Sequence, residues 1–178
     1  KREDNMAIHK IDGVDAVDGG SVINSFPKKF VTLNIVIGTS ATATKGEWVA
    51  IDLDETTAGG LGGNCEQSTT ALPQLVFGVF AETITNSSAS ATLATTIKVQ
   101  VAGLAEGCAV ESSVAAGDLL VASTATAGHA IEVDSATAVA GNSQANIQNA
   151  LKLARVGTAL TAHSGGTATC MIIDQGYF

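Results

Sequence analysis

Residues 30–37 alternate along their length, with Val31, Leu33, Ile35 and Ile37 on one side and Thr32, Asn34 and Val36 on the other. A period of two is that of a half-buried strand. A small polar turn over 38–45 leads to a second strand, in which Val49, Ile51 and Leu53 share a face and Ala50 and Asp52 take the other. Trp48 falls opposite the apolar set. Residues 75–84 and 97–101 supply further strands, the latter setting Ile97, Val99 and Val101 against Lys98 and Gln100. Between them, the Ser/Thr/Ala-rich residues 85–96 predict a loop. Gly117-Asp118 predicts a turn into a strand over 119–122, and Ala127-Gly128 a turn into a strand over 129–133 with Ile131 and Val133 inward and Glu132 outward. Strands over 155–160, with Gly157 in the middle, and 167–173 close the pattern. One helical period occurs: Ile147, Leu151 and Ala154 follow the capping pair Gly141-Asn142 and predict a helical turn over 143–153, running into a strand near 152–156.

The signals recur in order. Gly46-Glu47-Trp48-Val49-Ala50-Ile51 matches Gly117-Asp118-Leu119-Leu120-Val121, residues 75–79 with Gly78 match 155–160, and 95–101 match 167–173. Two diverged copies of one β unit are expected. The predicted fold is all-β, a β-barrel or two-lobed β-sandwich with an internal duplication. Its units are 30–102 and 103–178, preceded by an extended N-terminal arm over 1–29. The arm is expected because Val14, Val17, Val22, Ile23 and Phe26 follow no period and Gly19-Gly20 and Pro27 interrupt the segment.

Charge sharpens the view of the arm. Five of the nine basic residues lie in positions 1–29, where five acids balance them, so the net charge of −8 belongs to the body. An acidic body argues against nucleic acid as a partner, since phosphate binding needs a basic stripe. No apolar run approaches the roughly 20 residues that span a bilayer, so no membrane partner is expected. In the arm, Val22, Ile23 and Phe26 are expected to be apolar anchors, with Lys28 and Lys29 placed to meet acidic groups of a partner. Trp48 has two readings: packed beneath a loop or the arm, or a contact anchor for another subunit, and it joins the candidate partner-binding residues.

No catalytic constellation is visible. Ser123, His129 and Asp134 assemble a triad only on paper, because no nucleophile elbow surrounds the serine. His9 and His163 stand far from other ligands in sequence. Asp12, Asp15 and Asp18 recur every third residue, which is not the spacing of a calcium loop. The glycine-rich run at 59–63 lacks the Gly-Lys-Ser/Thr ending of a phosphate loop. Asp52, Asp54 and Glu55 are expected to be solvated. Cys65, Cys108 and Cys170 make neither a metal pair nor a disulfide framework and are expected to be buried or half-buried thiols. No catalytic, cofactor or metal residue is assigned, and the chain is not expected to be an enzyme.

Gly117-Asp118-Leu119-Leu120-Val121, His129-Ala130-Ile131, Val156-Gly157-Thr158-Ala159-Leu160 and Thr169-Cys170-Met171-Ile172-Ile173 together resemble small β-rich virion proteins of bacteriophages. These are the capsid decoration or cement proteins, and the pattern is also similar to β domains of tail appendages. The resemblance covers residues 103–174, extends weakly over 46–101 and leaves the first 45 untouched. It implies a trimerising, surface-attached module without an active site, made in the host cytoplasm and placed on the capsid surface, with the major capsid protein as partner. A homotrimer is also expected because few aromatics and many small residues leave each protomer short of core. Some appendage relatives carry a self-cleaving site, for which no matching nucleophile is present. The alternative is a tail or fibre β-domain that binds a receptor or carbohydrate. A sugar binder exposes several aromatic platforms, and one Trp and one Tyr are few.

Overall fold

The structure, a computed structural model, describes residues 27–52, 61–68, 75–123, 126–133 and 155–176. Every regular element among them is a strand. They are β1 (Lys29–Ile37), β2 (Thr42–Ala43), β3 (Trp48–Ile51), β4 (Leu61–Gly63), β5 (Cys65–Gln67), β6 (Val76–Phe80), β7 (Ile84–Thr85), β8 (Leu93–Val114), β9 (Leu119–Ala122), β10 (Ala130–Glu132), β11 (Arg155–Ala159) and β12 (His163–Ile172). The predicted helical turn at 143–153 and the first 26 residues of the predicted arm lie outside the described residues.

The 22-residue β8 joins the two halves of the molecule. Up to Ala102 it lies between β1 and β6; from Gly103 onward it pairs with β12 and, at Val110, with β10. The expected loop at 85–96 is therefore shorter, and the strand expected to end at 101 continues to Val114. Ala102, Gly103, Ala105, Gly107 and Ala109 carry too little side chain to display a period. Backbone pairing keeps this stretch extended.

The duplication is written in the topology. Taken in chain order, the first lobe consists of β1, β3, β5, β6 and the first half of β8. The second consists of the rest of β8, then β9, β10, β11 and β12. Across the sheet the first runs β5-β3-β6-β8-β1 and the second β10-β9-β11-β12-β8, the same order. Parallel pairing of Ala130 with Val110 closes the second lobe into a five-stranded barrel. In the first lobe β4 pairs with β1, and β5, one residue further on, pairs with β3.

Backbone hydrogen bonds repeat with the strands. Gly46 N–H donates to Phe80 and Gly117 N–H to Ala159, both at 2.8 Å. Phe80 N–H returns to Glu47 at 3.0 Å and Ala159 N–H to Asp118 at 2.9 Å. Each turn is capped by its acid: Glu47 Oε2 accepts from Thr44 N–H at 3.1 Å, and Asp118 Oδ2 from Ala115 N–H at 2.6 Å. The glycines before these acids have φ of 90° and 100°, a region that side chains with a Cβ avoid. The Gly-acid turn seen in sequence is thus one structural device used twice.

The two cores differ in volume. The first is bulky, with Ile35, Ile37, Val49, Leu61, Phe77, Phe80, Ile97 and Val99. At the positions equivalent to Phe80, Ile97 and Val99, the second has Ala159, Ala168 and Cys170. Trp48, Ala50, Val76 and Val79, from the opposite face of β3 and β6, join this second core. The sheet between the lobes is therefore buried on both faces. On β10 it is Ala130 that enters the core, while Ile131, expected inward, is only partly buried. The close pairing with Val110 at the barrel's seam leaves room for a small side chain there.

Candidate functional site

Trp48 is fully buried, which corrects the expectation that it anchors another subunit. Its side chain reaches the alanine-rich interior of the second barrel, and its indole Nε1–H donates to Ala109 O at 3.0 Å. Around it the backbone forms a ring: Trp48 N–H donates to Gly128 O, Gly128 N–H to Ser68 O, and Ser68 N–H to Trp48 O, at 2.9, 2.7 and 2.8 Å. The turn preceding β10 is thereby sewn to β3 and β5. Next to this ring sits Glu47, the acid of the first Gly-acid turn. Burial raises its carboxyl above the usual range, against the lowering pull of the Thr44 hydrogen bonds, nearby His129 and Gln67. A half-buried acid at an inter-lobe seam has no signature in a single sequence.

Of the predicted partner-binding residues, Val22, Ile23 and Phe26 lie outside the described residues, whereas Lys28 and Lys29 are placed. Lys28 is exposed. Lys29 opens β1 and its Nζ lies 3.1 Å from Asp174 Oδ2, just past β12. Hydrogen bonds from Gly176 N–H and then from Lys29 hold the Asp174 carboxyl below the usual carboxylate range. Lys98 Nζ sits 4.5 Å from the ring centroid of Phe30, itself 39% exposed. The point where the chain joins its first strand is therefore a small basic and aromatic surface, tied to the end of the second lobe.

A further surface emerges from the duplication. In the first lobe the register Trp48–Val79–Gln100–Phe30 crosses β3, β6, β8 and β1, and the second lobe covers its first three members. The equivalent row in the second lobe, Leu119–Thr158–Met171–Leu104, is left uncovered or half-covered and is apolar apart from Thr158. Leu119 is 36% exposed and nearby Leu160 is 40% exposed. An apolar row of this kind had no signal in sequence, because the same alternation describes covered and uncovered faces alike.

The remaining candidates have structural tasks. The Ser123 hydroxyl donates to the Glu111 carboxylate and accepts from Thr126 N–H, while Ser123 N–H donates to His129 O. His129 Nδ1 lies 2.9 Å from Ala127 O. These contacts shape the turn before β10 and put Ser123 in the service of that turn; Asp134 lies outside the described residues. Asp52 Oδ2 accepts from Gly63 N–H and steadies β4. Among the described residues no group of three or more His, Cys, Asp or Glu is arranged to hold a metal; Asp12, Asp15 and Asp18 lie outside them. The three cysteines are free and buried, as expected.

No protein-family model and no curated protein matches this chain. Among solved structures it is similar to the N base of the head fibre protein gp8.5 of bacteriophage phi29. The identity is 11% and the TM-score 0.45, over 80% of this chain and 95% of that one. A likeness at that level carries no functional argument.

Proposed function

We propose that this chain is a structural virion protein that decorates and stabilises a phage capsid by binding its outer surface between capsomers. The observation that carries the reading is that both cores are filled by side chains of the chain itself, Trp48 of the first lobe completing the core of the second. What the protein offers a partner is therefore its outside, which bears the apolar row from Leu119 to Leu104 and the basic root at Lys28. The resemblance of residues 103–174 to virion β domains supplies the class of partner, the major capsid protein. Adhesion needs no catalytic group. Weak contacts repeated over a symmetric shell, and again within a homotrimer, multiply into firm attachment. Residues 1–29, with Val22, Ile23 and Phe26 as anchors followed by Lys28 and Lys29, are the attachment arm of this reading; because Lys29 opens β1, the truncation that tests it stops at residue 26.

The test is fractionation of virions, followed by binding of a chain lacking residues 1–26 to purified heads. The protein is expected with heads, and the truncated chain is expected to melt as the full chain does yet fail to bind. Recovery with tails overturns the capsid assignment in favour of an appendage. A truncated chain that still binds heads overturns the role of the arm. Light scattering checks the trimer, which a monomer at micromolar concentration both in solution and on recovery from heads would contradict.

A further inference from the structure

Two of the three thiols lie together. Cys108 on β8 and Cys170 on β12 lie on paired strands and are fully buried, both inside the second barrel. In the register Cys108 faces Ala168 and Cys170 faces Ala105, with an irregularity between the two pairs. Cys108 Sγ donates to Ala105 O at 3.6 Å, and Cys170 Sγ to Ala168 O at 3.8 Å. Each thiol thus leans over the residue that faces the other, and the two cysteines are diagonal neighbours across the β8–β12 pair. Cys65 belongs to the first lobe's core and has no such companion there.

We propose that Cys108 and Cys170 are a latent cross-link site, which a disulfide oxidant such as oxidised glutathione converts to a single bond tying β8 to β12 inside the barrel. The electrons balance. One thiol loses its proton and its sulfur attacks the glutathione disulfide, releasing one reduced glutathione. The second thiol attacks the resulting mixed disulfide and releases another. Two protein sulfurs are oxidised, the glutathione disulfide is reduced, and both protons leave with glutathione. Ala105, Ala159 and Ala168 line the same interior, so small side chains surround the two sulfurs.

Burial makes the site slow rather than inert. The neighbouring Cys170 thiol and then desolvation push the Cys108 thiol far above the ordinary range, so thiolate is scarce in the closed barrel. The first attack takes place when β12 parts from β8. Once made, the bond closes a loop of about 60 residues, long enough to constrain the unfolded chain strongly.

The test equilibrates the unaltered chain in a buffer of reduced and oxidised glutathione, with urea below the unfolding midpoint to speed opening. Remaining thiols are then alkylated and the peptides mapped by mass spectrometry. The expected product has lost two hydrogens, carries a bond between the Cys108 and Cys170 peptides, and melts about 5–10 °C above the reduced chain. Cys108→Ala and Cys170→Ala each abolish that species, with the fluorescence of Trp48 reporting that the barrel is intact. Full alkylation of both thiols at equilibrium, glutathione held singly on either one, or a linked chain that melts below the reduced one overturns the proposal.

Discussion

The indole nitrogen of Trp48 donates to the carbonyl oxygen of Ala109 at 3.0 Å, so a side chain that begins a strand of the first lobe completes the core of the second. Removing it opens a large void. Trp48→Ala is expected to cost about 3–5 kcal/mol. Trp48→Phe retains much of the volume but leaves a buried carbonyl without its donor, a loss of about 1–3 kcal/mol. Urea denaturation followed by circular dichroism should rank wild type above Phe and Phe above Ala. A Phe variant with the midpoint of wild type would mean that the hydrogen bond contributes nothing beyond shape, and equal midpoints for Phe and Ala that the ring volume contributes nothing.

Two glycines of the repeat are expected to resist substitution for different reasons. At Gly117 nothing lies within 4 Å of a built Cβ, so the obstacle is its φ of 100° alone. Gly117→Ala should cost about 1–2 kcal/mol, and Gly117→Asn less, because Asn tolerates positive φ. At Gly157 a Cβ would lie 2.7 Å from Met171 O and 3.2 Å from Cη2 of Trp48. Gly157→Ala must shift backbone and indole together and should cost about 1–3 kcal/mol or more. Thermal melts separate the cases: an Asn that rescues position 117 but not 157 is the expected pattern.

Glu47 sets a pH dependence. Because burial raises its folded-state pKa above the ordinary 4.5, the native protein holds this proton more tightly than the unfolded chain does. The stabilisation from that proton is complete below the unfolded value and is lost as pH rises through the folded one. Glu47→Gln removes the ionisation while keeping an oxygen for the Thr44 N–H. Its melting temperature relative to wild type should therefore rise between about pH 3.5 and about pH 7, across the ordinary carboxylate range. A gap that shrinks over that interval would reverse the sign.

Asp174 behaves in the opposite way. Its lowered pKa gives a contribution present above the unfolded value and lost as pH falls through the folded one. Lys29→Ala should move its titration, followed by NMR, upward toward the ordinary range without reaching it, since the Gly176 N–H remains. The pair is exposed on both sides, so the melting temperature should scarcely change. A large fall would show that Lys29 holds the root of the chain by more than this pair.

Much of the strand pattern was legible because a period of two and a glycine that needs positive φ are local facts. The alternation of residues 30–37, the Gly46 and Gly117 turns and the central glycines of β6 and β11 all appear in sequence, and together they disclosed the duplication. The length of β8 did not, because alanines and glycines there display no period while partners on either side hold the strand straight. Nor did the place of Trp48. Sequence put it opposite the apolar face of β3 but could not say whether water or a second lobe lay beyond. That depends on the partner β8 takes after Gly103, on the missing bulk at Ala159 and Ala168, and on where the turn at Gly128 returns. The same ambiguity hid the contrast between covered Trp48 and exposed Leu119, which hold equivalent positions in the repeat. It also hid the meeting of Cys108 with Cys170, distant in sequence and adjacent only once β12 lies against β8. Local chemistry chose the strands, whereas the neighbours of each face were decided by long-range pairing that no short stretch encodes.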